Sequence, residues 1–230
     1  MIRQSEAQSP KLEEKRTGEK IRPFYGLAQW VTRCILKILF RIRVEGIENV
    51  PRKGGVVIAS NHASLIDPPS LGCTIPREVS YFAKKELFKI PFVGWFISYA
   101  NSIPVDREGY SSQALKEMIR RLEDGWAVIV FPEGTRTKTG EFCEPKSGAG
   151  MAAAIAGVPV VPCWIEGSFH ARFFRSRVTL HYLPPFRPEE IPAPSRKEHY
   201  LLVSRRIMSD INRLYNSQMA LRNQAKSQER

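Results

Sequence analysis

The chain has 230 residues, enough for one substantial core and long for two. Hydrophobic residues at 43% and charged residues at 25% belong to an ordinary folded domain, not to a disordered or fibrous chain. A net charge of +12 implies a polyanionic partner or surface, and alone does not choose among nucleic acid, anionic lipid and acidic small molecules.

Residues 1–22 mix Lys, Glu, Gln and Ser, bury little, and read as a flexible polar tail. They hold no apolar core of a signal peptide, and no run of about 18 uncharged apolar residues follows to suggest a transmembrane helix. From 23 to 42 the pattern turns helical. Gln29, Arg33, Lys37 and Arg41 recur every four residues and fall within an arc of about 120°. Leu27, Trp30, Val31, Ile35, Leu36, Ile38, Leu39 and Phe40 fill the rest. A broad apolar face with a basic stripe and a Trp near one end suits the plane of a bilayer interface. The same pattern also fits an amphipathic helix packed on a domain.

Over 43–218 short β-rich runs alternate with helical ones. Strands are expected at Val56–Ala59, Val79–Ala83, Ile103–Val105, Ala127–Phe131, Val158–Trp164 and Val178–Tyr182, with Pro104 marking an edge or an end. Helices are expected from near Ser64, over Glu86–Ser98 with Pro91 near its first turns, over Ser111–Asp124, Gly150–Ala156 and Ser195–Tyr215. This alternation predicts a single α/β domain with a central, mostly buried mixed sheet flanked by helices. Residues 219–230 read as a second polar tail, though they could extend the last helix. The four cysteines, Cys34, Cys73, Cys143 and Cys163, show no C-x-x-C pair and no zinc-like spacing. Reduced thiols and no metal are expected.

Two segments carry most of the chemistry. Asn61-His62-Ala63-Ser64-Leu65-Ile66-Asp67 follows a strand, and ligands gather at the carboxyl ends of strands in open α/β sheets. A His held by a carboxylate is a general base whose tautomer is fixed and whose imidazolium is stabilised. Five residues on one continuous helix would set His62 and Asp67 about 140° apart, so they meet only if His62 precedes the helix. Ser64 and Asp67 also form a capping-box pattern, and the two readings are compatible. Phe131-Pro132-Glu133-Gly134-Thr135-Arg136 follows a strand as well. A glycine turn with an Arg makes an anion cradle, or else a solvated surface turn. Arg107, just past a short strand, and Lys146, near a helix start, are further cations. No G-x-S-x-G elbow, Walker loop or dinucleotide fingerprint occurs.

Together these segments resemble the glycerolipid acyltransferase family, and within it the bacterial 1-acylglycerol-3-phosphate acyltransferases. Asn61 to Asp67 matches the motif N-H-x-S-x-x-D. Pro104-Val105-Asp106-Arg107 matches the second motif, with Asn101 at the head where a Gly is common. Phe131 to Arg136 matches F-P-E-G-T-R, and Val158 to Pro162 matches the fourth motif. The resemblance implies acyl transfer from acyl-CoA or acyl-acyl-carrier protein to the sn-2 hydroxyl of a 1-acyl-glycerol-3-phosphate. His62 would be the base and Asp67 its orienting partner, with backbone amides available for the oxyanion. Arg107 would bind the acceptor phosphate with help from Arg136. Glu133, Gly134, Thr135 and Lys146 would shape the acceptor site. No cofactor is implied beyond the thioester co-substrate. The partners would be an anionic membrane surface, a lysophospholipid and the thioester carrier. The place implied is the cytoplasmic face of the inner membrane, peripheral or monotopic.

Other lyso-acceptors remain open at this point: lyso-ornithine lipid, lysophosphatidylcholine and lysophosphatidylglycerol. A nucleic-acid-binding domain would use the charge and the Lys-aromatic stretch 81–95, but leaves the His/Asp and FPEGTR segments idle. No nucleic-acid partner is therefore expected.

Overall fold

The computed structural model describes residues 22–105 and 112–228. The tail expected over 1–22 falls outside this range except for Arg22. That residue is tied down, its guanidinium donating to Glu78 Oε1 at 2.8 Å and to the Tyr99 carbonyl at 2.6 Å.

In chain order the elements are α1 (Pro23–Phe40), β1 (Arg43–Glu45), β2 (Val56–Ser60), α2 (Asp67–Thr74), β3 (Val79–Lys84), α3 (Lys85–Phe88), α4 (Val93–Tyr99), β4 (Ser102–Val105), α5 (Ser112–Glu123), β5 (Ala127–Val130), α6 (Gly148–Ala156), β6 (Val160–Glu166), β7 (Thr179–Tyr182) and α7 (Arg196–Gln228). The seven strands form one sheet in the order β1-β7-β6-β2-β5-β3-β4. β6, β2, β5, β3 and β4 are mutually parallel; β7 pairs antiparallel with β6, and β1 parallel with β7. The sheet is thus mixed, as expected, and β4 with its Pro104 is an edge.

Side chains alternate across a strand, so β2 feeds two cores. Val56 and Ile58 join Leu36 and Phe40 of α1 and Leu71 of α2 on one face. Val57 and Ala59 join Met118 and Leu122 of α5, Ala152 of α6, and Val203, Ile207 and Ile211 of α7 on the other. Every residue of β2 and β5 is buried, which fixes the strand ends that carry the site.

Three elements differ from the sequence expectation. The helix expected over Glu86–Ser98 is two, because Pro91 supplies no N–H and disfavours helix in Ile90, and Phe92 takes φ 63°. β1 was not foreseen, since three residues carry no periodicity. α7 does not stop at Tyr215 but runs to Gln228, absorbing most of the expected second tail. Its extension is held by Met219 against the core and by an Arg222–Glu166 ion pair.

α1 is turned in an informative way. Tyr25, Leu36 and Phe40 are buried, while Leu27 (54% exposed), Ile35 (49%) and Ile38 (66%) point to solvent. Gln29, on the polar arc, faces inward and donates to the carbonyls of Gly72 and Ile75 at the end of α2. Among the described residues no helix is long and apolar enough to cross a membrane.

Candidate active site

β2 ends at Ser60, and Asn61 continues its pairing by other means. The Asn61 side chain accepts from the Ile165 amide (2.8 Å) and donates to the Ile165 carbonyl (3.1 Å). The side chain thus occupies the β6 ladder while the main chain leaves the sheet. His62 lies in the turn that results, before α2, as a His62–Asp67 contact requires.

His62 Nδ1 and Asp67 Oδ2 are 2.9 Å apart. The Asp67 side chain is wholly buried and that of His62 is 17% exposed. The same Oδ2 accepts from the amides of Ala63 and Ser64, each at 2.7 Å. Asp67 therefore orients the imidazole and caps the chain entering α2 with one oxygen. With Nδ1–H directed at the carboxylate, Nε2 is the acceptor nitrogen, and no protein group among the described residues occupies it. The ring lies on Phe131, centroids 4.0 Å apart and planes 18° apart.

The FPEGTR turn is laced to the same loop. Glu133 is buried and its carboxylate accepts from the amides of His62 (3.0 Å) and Cys143 (2.9 Å). It shapes the site from behind and holds the backbone of His62. The Thr137 amide donates to the His62 carbonyl at 2.9 Å, closing the second strap. Gly134 takes φ 72°, where a Cβ would sit 3.1–3.2 Å from the end of the Lys146 side chain. Glycine is required there both by the backbone and by the lysine lying across the turn. Thr135, Arg136 and Lys146 are exposed on this rim. The structure thus brings together His62, Asp67, Glu133, Gly134, Thr135, Arg136 and Lys146. Arg107 lies outside the described residues.

The amides of His62, Ala63 and Ser64 are all committed to carboxylates, and that of Gly134 to the Phe131 carbonyl. The expectation that backbone amides are free for an oxyanion fails at these four positions. Asn101, where a Gly is common, takes φ 61°, a left-handed conformation that Asn tolerates, and donates to Glu78 Oε2 at 3.1 Å. The turn is kept without the glycine.

Burial raises the Cys163 thiol well above its ordinary value, so the sulfur behind Asp67 stays protonated and is no second nucleophile. Among the described residues no group of three or more His, Cys, Asp or Glu is placed to hold a metal ion. Sequence reasoning missed the roles of Asn61, Phe131 and Thr137. The first two lie inside the quoted motifs, and the residue-type signal was present; Thr137 acts through its backbone and carries none.

The Acyltransferase family model matches residues 41–166. The 1-acyl-sn-glycerol-3-phosphate acyltransferase of Bacillus subtilis (strain 168) is 31% identical over 187 residues, covering 80% of this chain and 93% of that protein. The Pseudomonas aeruginosa protein of the same name is 34% identical over 139 residues, covering 59% of this chain and 52% of its own length. Among solved structures, the 1-acyl-sn-glycerophosphate (LPA) acyltransferase PlsC from Thermotoga maritima superposes with a TM-score of 0.69 at 31% identity. The match covers 83% of this chain and 79% of that one.

Proposed function

The chain belongs to the acyltransferase family, and we propose that it acylates the sn-2 hydroxyl of 1-acyl-glycerol-3-phosphate to give phosphatidic acid. The observation that carries this reading is the buried Asp67 clasping Nδ1 of a His62 whose Nε2 has no protein partner among the described residues, beside a rim bearing Arg136 and Lys146. The names of the Bacillus and Thermotoga relatives support the choice of acceptor.

In the proposed reaction His62 Nε2 takes the proton of the acceptor hydroxyl as its oxygen attacks the thioester carbonyl. Asp67 stabilises the imidazolium so formed. Collapse of the tetrahedral intermediate breaks the C–S bond, and the imidazolium returns the proton to the departing thiolate. The products are the ester and free coenzyme A or acyl-carrier protein. Arg136 and Lys146, with Arg107, would hold the acceptor phosphate, for which guanidinium forks are suited. Glu133 and Gly134 are positioning residues in this scheme, one for the His62 backbone and one for Lys146.

The outward apolar face of α1, flanked by Arg33, Lys37 and Arg41, supports a peripheral or monotopic seat on an anionic bilayer. The proposed location is the cytoplasmic face of the inner membrane. Replacing Leu27 and Ile38 by Asp should abolish co-sedimentation with anionic vesicles. Undiminished binding would move the seat elsewhere.

The experiment for the reaction is acyl transfer from labelled acyl-CoA to lysophosphatidic acid in detergent, comparing wild type with His62→Ala. Product that vanishes in the variant supports both reaction and base. Turnover surviving in the variant refutes the base. Preference for a phosphate-free lyso-lipid refutes the acceptor.

A further inference from the structure

We infer that the nucleotide end of an acyl-coenzyme A donor is held in a basic cavity at the β1–β7 edge, on the sheet face opposite α1; this rests on the acyl-thioester reading above. The register pairs Arg43 with Thr179, Glu45 with His181, and Glu166 with Thr179, so these side chains share one face. The last turns of α7 reach beside that face, and Arg222 and Arg177 complete a cavity of about 500 Å³.

Its charges are not balanced internally. His181 lies between Glu45 (Nδ1, 2.9 Å) and Glu166 (Nε2, 3.1 Å), and Arg222 also bonds Glu166. Both carboxylates are thus engaged. Arg43 and Arg177 line the same cavity and have no side-chain partner among the described residues. Two unpaired guanidinium forks facing one concave space suit phosphate groups.

A neighbouring cavity extends from this one toward the His62 loop. It is smaller, about 240 Å³, and is lined by Asn61 and Ala63, which flank His62. Phe142, Phe169 and Met219 also line it, and it shares Glu166, Gly167 and Arg222 with the basic one. From β2 to β1 is three strand spacings in the order β2-β6-β7-β1, about 14 Å. That is comparable with the span of a pantetheine arm. A thioester at His62 would then lay its arm in the apolar-walled groove and its 3′-phosphorylated ADP against Arg43 and Arg177. Donor and lipid would approach from opposite faces of the sheet. A concave pocket of about 500 Å³ lined by arginines suits a nucleotide better than the surface of a carrier protein.

The test uses the full chain with Arg43→Glu and Arg177→Glu, both exposed positions, and Lys53→Glu as a charge-matched control before β2. Calorimetry should show coenzyme A binding to wild type and control, weakened about tenfold or more in each Arg variant. KM for acyl-CoA should rise by the same factor with kcat and the acceptor KM unchanged. Acyl-pantetheine, which lacks the nucleotide, should serve wild type and variants equally. Coenzyme A binding lost in the variants would support the site even if lysophosphatidic acid proved to be the wrong acceptor. Unchanged coenzyme A affinity, or equal losses on acyl-pantetheine, would overturn it. A wild type that binds no coenzyme A and accepts only acyl-carrier protein would overturn it too, and leave the acyltransferase reading standing.

Discussion

Asp67→Asn separates the charge of the buried carboxylate from its geometry. Asp67 Oδ2 receives three donors, from His62, Ala63 and Ser64, whereas the buried Oδ1 receives none. An asparagine can offer its carbonyl oxygen to the same three donors, placing its NH₂ where Oδ1 now lies. The opposite flip would aim N–H groups at N–H groups. One orientation therefore keeps the imidazole in place while the negative charge is lost. With charge centres about 4 Å apart and an effective dielectric near 20, the imidazolium loses roughly 4 kcal/mol of stabilisation. That corresponds to a fall in kcat of about 10³-fold. KM for either substrate should move little. The unpaired NH₂ costs about 1–3 kcal/mol of stability, offset in part by removal of a buried charge. Steady-state kinetics beside a thermal melt reads both quantities. A folded variant within tenfold of wild-type kcat would reduce Asp67 to a cap on the start of α2 and refute its part in the proton transfer.

Arg136→Ala should raise KM for the phosphate-bearing acceptor about tenfold or more with little change in kcat, because its charge meets a group that does not react. An equal effect on a neutral lyso-lipid would contradict that assignment. Glu133→Gln turns an N–H toward either the His62 or the Cys143 amide. It should lower kcat at least tenfold and destabilise the fold by about 1–3 kcal/mol; unaltered kcat would show that His62 needs no such strap. Alkali should also unfold the protein early. Burial pushes Cys73 from 9.0 up to about 11, and pushes Tyr25, Tyr182 and Cys163 up as well. The folded state holds these protons more tightly than the unfolded chain. The stability that Cys73 contributes, roughly 3 kcal/mol, is whole below pH about 9 and is lost as pH climbs toward 11, while that from Tyr25, Tyr182 and Cys163 is lost at still higher pH. Urea midpoints at pH 8 and 10.5 should differ accordingly, and equal midpoints would contradict it.

The central strands were legible because burial on both faces leaves a continuous apolar run, as in Val56–Ala59 and Ala127–Val130. The family was legible because four motifs stand in order, two of them complete. The break at Pro91 was half legible: the proline was noted, but whether it starts a helix or divides one depends on Phe92 accepting φ 63°. β1 and the end of α7 were not legible. β1 exists only because β7 offers it an edge, and residues 219–228 hold too few apolar positions to announce a helix that Glu166 and the core retain from outside. Within the site, the His62–Asp67 pairing could be read as a condition on where α2 begins. The sharing of one Asp67 oxygen among three donors, and the engagement of Glu133 with backbone amides, are tertiary facts that no spacing encodes.

The placement of α1 bears on how the proposed site would meet an insoluble acceptor. α1 is not a loose anchor: Tyr25, Leu36 and Phe40 are buried in the domain, and Gln29 binds the carbonyls closing α2. The other end of α2 begins with Asp67, the partner of His62. One short helix thus joins the element with the exposed apolar face to the His62–Asp67 pair. An 18-residue helix spans about 27 Å, long enough to fix the tilt of the domain against a bilayer plane if its outward face is seated there. The depth of His62 relative to that plane would then be set by packing already present in the fold. Under this arrangement the acceptor needs to raise only its headgroup and glycerol hydroxyl to Nε2 while its acyl chain stays on the apolar side. A coenzyme A donor held as inferred above would be left the opposite face, where Arg43 and Arg177 line the cavity.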